Sequence, residues 1–244
     1  MQIKEIHQQS RRTYGSPRVH DELRDRGINC SENRVARLMR QHGIAVKRKR
    51  KFVRTTDSNH QLPIAPNRLN QRFGTDRPDA IWTADITYIW TQEGWLYLAI
   101  VLDLFSRRIV GWSMAPSLER SLVIDALAMA IAVRNPAEGL IHHSDRGSQY
   151  ASLDYQKILR QKGIVGSMSR RGNCYDNAPT ESWFATLKRE LIYRTKYTTH
   201  AEVRQDIFKY IEVWYNRQRK HSAIGYKNPV AYEEQWKEST AKAA

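Results

Sequence analysis

The run I-H-H-S-D-R-G-S-Q-Y, residues 141–150, decides how this chain is read. Its apolar start has the character of a short strand, and Asp145 stands where that strand gives way to a loop opened by Arg146 and Gly147. Downstream, N-C-Y-D-N-A-P-T-E-S-W-F-A-T-L-K, residues 173–188, carries Glu181 into the first turn of a predicted helix. Upstream, W-T-A-D-I-T-Y, residues 82–88, places Asp85 in a segment with the alternation of a strand. Two strand segments and a helix can bring these three carboxylates together as one metal-binding cluster.

Each acid taken alone has a plainer reading. Asp85 can be an ordinary acid on the polar face of a strand, Asp145 a turn former, and Glu181 a residue that favours the helix dipole. Asp103 in V-L-D-L-F-S and Asp176, close to Glu181, compete with them; Asp176 between Asn173 and Asn177 also reads as a turn residue. His142 and His143 would suit zinc or iron better than magnesium, and read better as strand packing or as neighbours of a phosphate.

Phosphodiester chemistry is what favours three acids. The incoming and leaving oxygens both carry charge in the transition state, and two divalent ions about 3.5–4 Å apart can hold both. Lys188 falls seven residues after Glu181, on the same helix face, where an ammonium could grip a DNA strand. Arg146, Ser148 and Gln149 neighbour the phosphate by their place in the loop.

The bulk properties point the same way. The 244 residues carry a formal net charge of +15. The excess is concentrated before residue 76 and again after residue 190, around a balanced middle. A neutral core with basic flanks suits a polyanion. The sequence contains no apolar run long enough for a membrane span and no signal-peptide stretch, so the expectation is a cytoplasmic, nucleoid-associated protein. Cys30 and Cys174 are too few for a disulfide framework or a four-thiolate zinc site.

Four regions are expected. Residues 1–54 read as a helix-turn-helix-like DNA-binding region with a basic arm. One helix starts at Pro17 and stops at Gly27; the next is capped by Ser31 and runs to Arg40, with Arg34, Arg37 and Arg40 along one flank. The arm is Lys47, Arg48, Lys49, Arg50 and Lys51, an unbroken run to be set against phosphates. Residues 55–78 read as a linker.

Residues 79–195 form the core, with strands at 80–91, 96–105, 109–115, 140–144 and 164–168. Helices are expected at 118–133 and 153–161 and from Ala178. In the first strand Trp82, Ala84, Ile86, Tyr88 and Trp90 share one face, while Thr83, Asp85 and Thr87 share the other. The order implies an α/β protein with a mixed sheet flanked by helices. Residues 196–244 hold an amphipathic helix (Val203, Ile207, Tyr210, Ile211, Trp214), then Y-N-R-Q-R-K-H-S-A-I-G-Y, whose Arg217, Arg219 and Lys220 suit contact with a DNA backbone. The tail beyond Trp236 reads as frayed.

Taken together, W-T-A-D-I-T-Y, H-S-D-R-G-S-Q-Y, S-R-R-G-N-C-Y-D-N-A-P-T-E-S-W-F-A-T-L-K-R-E and Y-N-R-Q-R-K-H-S-A-I-G-Y-K-N-P resemble the bacterial insertion-sequence DDE transposases encoded by overlapping OrfA and OrfB frames. The resemblance runs from about Tyr14 to Glu233. It implies an RNase H-like five-stranded core like that of retroviral integrases, with Asp85, Asp145 and Glu181 as the metal-binding triad for two Mg2+ or Mn2+ ions. It also implies the reaction. Water cuts at a transposon end to free a 3′-OH, which then attacks another phosphodiester without a covalent enzyme intermediate.

Double-stranded DNA, as terminal repeats and target, is the implied partner, bound by a homo-multimer and with OrfA as a further partner or fusion. The chain has no leucine heptads or second DNA-binding unit ahead of the core and no zinc-binding His/Cys module, and so resembles the OrfB portion. A nuclease of the same fold and a non-catalytic DNA-binding regulator are the alternatives.

Overall fold

The computed structural model of the chain describes residues 2–46, 62–170 and 174–243. Three helices come first: α1 (Gln2–Gln9), α2 (Ser16–Asp25) and α3 (Glu32–Gln41). Pro17 sits in the opening turn of α2, where its missing N–H costs nothing, and the Ser31 hydroxyl accepts from the Arg34 N–H at 3.3 Å to cap α3. These two helices fall where the sequence places them; α1 is an addition to that reading. The expected basic arm, Lys47 to Lys51, lies outside the described residues.

Five strands follow: β1 (Ile81–Thr91), β2 (Gly94–Asp103), β3 (Ile109–Ala115), β4 (Ile141–Ser144) and β5 (Val165–Met168). They form one mixed sheet in the order β3-β2-β1-β4-β5, antiparallel through β1–β2–β3 and parallel through β1–β4–β5. The helices between and after them are α4 (Arg120–Arg134), the short α5 (Ser148–Ala151), α6 (Leu153–Gln161), α7 (Ala178–Glu190), α8 (His200–Phe208) and α9 (Pro229–Ala243). Among the described residues no helix is long and apolar enough to cross a membrane.

Period-two alternation gives the sheet two apolar faces. Trp82, Ala84, Ala99 and Val101 pack with Leu122, Ala126 and Ala130 of α4 and with Tyr155 and Leu159 of α6. On the other face, Ile89, Leu98, Ile100 and Leu102 meet Trp183, Phe184 and Leu187 of α7. The same core continues through Val203, Ile207, Tyr210, Ile211 and Trp214, the predicted amphipathic stripe, and on to Val19, Leu23 and Val35 of the N-terminal helices.

After α8 the helix widens into i→i+5 turns over Lys209–Tyr215, which brings Asn216 to the sheet edge. There its amide accepts from the Ile109 N–H and donates to the Ile109 carbonyl, each at 3.0 Å, and so occupies backbone groups of edge strand β3.

Two expectations need correcting. The chain beyond Trp236 is not frayed: α9 runs through to Ala243, and Trp236 donates to the Asp76 carbonyl at 3.1 Å. Residues 62–78 contain no regular element but do not behave as a linker. Leu69 is buried, the Arg68 N–H donates to the Ser167 hydroxyl, and Asn67 and Gln71 both donate to the Asp176 carboxylate. Polarity and proline content signal irregular backbone, but they do not show whether that backbone is strapped down.

α4 lies close against Gly111 of β3. A Cβ there would stand 2.2 Å from the Ala126 carbonyl oxygen and 2.8 Å from the Ala130 Cβ, both on α4. Gly111→Ala is therefore expected to push α4 outward and lower stability by about 1–3 kcal/mol. Thermal unfolding checks this, and an unchanged melting temperature would show that α4 can shift freely.

Candidate active site

β4 pairs with β1 only at Ile81, Trp82 and Thr83, opposite Ile141, His142 and His143. Two residues beyond the last of these pairs, Asp85 and Asp145 stand level at the point where β4 has ended and β1 continues paired with β2 only. The start of α7 occupies the vacated edge. Asn177 donates to the Ala84 carbonyl at 3.1 Å, taking the place of a strand partner, and the Thr180 hydroxyl donates to that of Thr83 at 2.7 Å. Glu181 follows directly, so α7 delivers it beside Asp85.

The electrostatics record the convergence. Burial pushes the Asp85 carboxyl well above the usual carboxylate range, the Asp145 charge raises it further, and Glu181 adds to this. The Ile86 N–H, donating to Asp85 at 2.7 Å, and the Lys188 ammonium act in the opposite direction. Although Glu181 as a whole is exposed, partial burial of its carboxyl raises its pKa. Lys188 is half-buried, with its ammonium 4.7 Å from the centre of the Tyr88 ring; burial lowers its pKa and Asp85 opposes the shift.

Gly147 packs closely in the Asp145 loop. The Gly147 N–H donates to the Asp145 carboxylate at 2.9 Å, and a Cβ on Gly147 would stand 3.0 Å from that carboxylate and 3.1 Å from the Gln149 side chain. Tyr150 completes the floor. It is buried, its hydroxyl has no hydrogen-bond partner among the described residues, and it feels the charges of both Asp85 and Asp145. Sequence reasoning missed Tyr150, Asn177 and Thr180; being in the same motifs as the acids was the only signal for them.

The donor set suits a hard divalent cation. Two carboxylates acting on a third, with the Lys188 ammonium opposing them, are what such an ion would relieve. Even so, among the described residues no three His, Cys, Asp or Glu side chains are drawn tightly enough to hold an ion as they stand. Asp145 and Glu181 both act on Asp85, yet the three do not close on a common point.

The competing groups are occupied elsewhere. Asp103 is buried, its pKa raised to about 6 by burial, and accepts from the Asp79 and Ser106 N–H groups and the Ser106 hydroxyl. Asp176 is not a surface turn residue. It is fully buried and accepts from Arg170, Asn67 and Gln71, with Arg170 first in holding its carboxyl below the usual range. His142 pairs with the Tyr155 hydroxyl at 3.0 Å, and His143 lies between the Ser167 and Ser169 hydroxyls at 2.9 and 3.1 Å. Burial lowers the two imidazoles to about 3 and about 4 respectively, so both are neutral packing groups.

The expected DNA-contact residues divide. Arg34, Arg37 and Arg217 are exposed. Arg146 is half-buried and donates to the Ser169 carbonyl at 2.6 Å. Arg219 is a correction: it is 3% exposed and clasps both carboxylate oxygens of Glu190 at 2.8–3.1 Å. Lys220 is the other, its ammonium held by Asp21 at 2.7 Å and by Glu22 and Asp25. A basic loop looks the same in sequence whether its cations point to solvent or to buried acids far away in the chain.

This arrangement is that of an integrase-type core, and the comparisons agree. The Integrase core domain model matches residues 75–174, a second integrase core model matches 162–229, and an HTH-like domain model matches 1–52. The chain is 46% identical over 241 residues to the "Insertion element IS600 uncharacterized 31 kDa protein" of Shigella sonnei, covering 99% of this chain and 89% of that one. It is 44% identical over 224 residues to "Transposase InsF for insertion sequence IS3A" of Escherichia coli (strain K12), covering 92% and 78%. The chain belongs to this family of insertion-sequence transposases. In fold alone it also resembles a chain of the simian T-cell lymphotropic virus intasome solved with a PP2A regulatory subunit, with a TM-score of 0.55 at 15% identity over 95% of this chain and 74% of that one.

The split among the basic residues gives a test. Arg219→Ala strands the Glu190 carboxylate inside the protein and should cost about 3–5 kcal/mol in urea unfolding. Arg217→Ala should leave stability alone and weaken DNA binding. Equal stability of the Arg219 variant and the parent would show that the buried pair does not hold the fold.

Proposed function

We propose that this chain is an OrfB-like DDE strand transferase that cuts the ends of an insertion sequence and joins them to new DNA. In the first step water attacks the phosphodiester at the element's end; the phosphorus–oxygen bond to the 3′ oxygen breaks and a free 3′-OH results. In the second, that hydroxyl attacks another phosphodiester, forming one phosphorus–oxygen bond while a 3′ oxygen leaves. The two steps share one charge pattern, so one site serves both.

The observation that carries this reading is that the end of β4 and the first turn of α7 set Asp145 and Glu181 where both act on the Asp85 carboxyl of β1. Asp85, Asp145 and Glu181 would hold two divalent ions, Mg2+ or Mn2+, which when bound stabilise the charge on the attacking and leaving oxygens. Lys188 sets a positive charge beside the phosphate, and the packing of Tyr150 and Thr180 beneath keeps the carboxylates aimed outward. Arg34, Arg37 and Arg217 would hold the duplex through its backbone, joined by Arg146 and by Lys47, Arg48, Lys49, Arg50 and Lys51 of the arm. A homo-multimer on double-stranded terminal repeats and target DNA, with OrfA as a partner or fusion, would bring two ends together at the nucleoid.

The test is incubation with labelled DNA bearing the element's ends, with Mg2+ or with chelator. Nicked and joined products are expected only with the metal. Asp145→Asn should lower both by at least about 100-fold while leaving DNA retention unchanged. Full activity of that variant would remove Asp145 from the site, and nicking without joining would reduce the enzyme to a hydrolase.

A further inference from the structure

β1 and β2 run on as a hairpin past the end of β4, and α4 and α6 cover only the near part of its aromatic face. The far part carries Tyr88 and Trp90 of β1 and Trp95 of β2, with Trp90 and Trp95 directly opposite in register. The Trp90 and Trp95 rings meet edge to face at 4.9 Å, and Tyr88 meets Trp95 the same way at 5.1 Å. Trp90 is 59% exposed and Trp95 45%, so both indoles reach solvent. This strip lies on the strand face opposite Asp85 and meets the site at the edge of β1 that β4 leaves, where the Lys188 ammonium lies over the Tyr88 ring at 4.7 Å. From Asp85 to Trp90 the strand advances about 17 Å, or about five nucleotides of helical rise.

We propose that Tyr88, Trp95 and Trp90 form a stacking platform for unpaired bases of the DNA strand whose phosphate lies at the three carboxylates, with Lys188 leading the backbone from one to the other. This rests on the strand-transfer reading above. The occupant follows from the chemistry. An exposed indole face pairs with any base face, but in a duplex those faces are buried in the stack, so the strip suits a strand frayed near the scissile position. An ammonium at the head of an aromatic row matches a phosphate followed by bases, whereas a purely apolar partner would gain nothing from its charge.

The experiment is fluorescence anisotropy with the full chain in chelator, so that no chemistry occurs. The probes are a fluorescein-labelled blunt duplex and the same duplex with an unpaired tail of five thymidines on either strand. The chain should bind a tailed duplex roughly tenfold more tightly than the blunt one. Trp90→Leu with Trp95→Leu keeps apolar cover on the hairpin but removes the π-faces, and should erase that preference while leaving blunt-end affinity unchanged. Trp95→Phe should retain most of the preference.

An undiminished preference in the double Leu variant, or no preference in the parent, overturns the proposal. So does a double variant that only shifts sedimentation from multimer to monomer, which would make the strip a contact between copies. Asp145→Asn run alongside keeps the two readings apart: cleavage surviving in that variant sinks the strand-transfer reading, whereas loss of tail preference in the Trp variants concerns the platform alone.

Discussion

Everything at the site follows from β4 being short. Its pairing with β1 stops at Thr83, and the strand itself ends at Ser144. Had it continued, the edge of β1 from Ala84 onward would be closed by another strand, and Asp85 would be one more side chain in a covered sheet. Because it stops, the Ala84 carbonyl is left for Asn177 and a helix start takes the place of a strand. The substitution puts an acid from α7 next to one from β1 and one from the loop that follows β4. The stability of the sheet and the repulsion of the carboxylates therefore meet at one spot. Strain of this kind is retained where a positive ligand can repay it.

α7 is accordingly fixed at both ends. At its start, Thr180 bonds to Thr83 of β1 and to Asn177. At its last residue, Glu190 is buried and held by Arg219 and by the Tyr210 hydroxyl at 2.9 Å. Between those anchors Trp183, Phe184 and Leu187 pack into the larger core, which leaves Glu181 and Lys188 on the side facing Asp85. A helix held in this way has little freedom to rotate, so its acid and its ammonium keep a fixed relation to the strand.

Much of this was legible in sequence, for a physical reason. Strand alternation around Asp85, a short apolar run before Asp145 and a helix start at Glu181 are local signals, and signals of the same kind gave the five strands and helices α4, α6, α7 and α8, but not α1, α5 or α9. What was not legible is long-range pairing. Asp176 reads as a turn residue until Asn67, Gln71 and Arg170 are seen around it. Arg219 and Lys220 read as DNA contacts until Glu190 and Asp21 appear from elsewhere in the chain. Nor does alternation alone say where cover ends: Trp82 and Trp90 share a face by period, yet one is buried and the other 59% exposed.

The inward cations also bear on how the outer regions are joined to the core. Lys220 reaches Asp21 of α2, its backbone N–H donates to the Tyr14 hydroxyl at 2.8 Å, and Arg18 donates to the Lys220 carbonyl at 2.9 Å. The next residue inward, Arg219, holds the end of α7. A single short stretch of backbone thus ties the N-terminal helices, which expose Arg34 and Arg37, to the helix that carries Glu181. Charge placed there does not attract DNA directly. It fixes the geometry between the surface that would hold the duplex and the carboxylates that would act on it, which a flexible basic tail could not do.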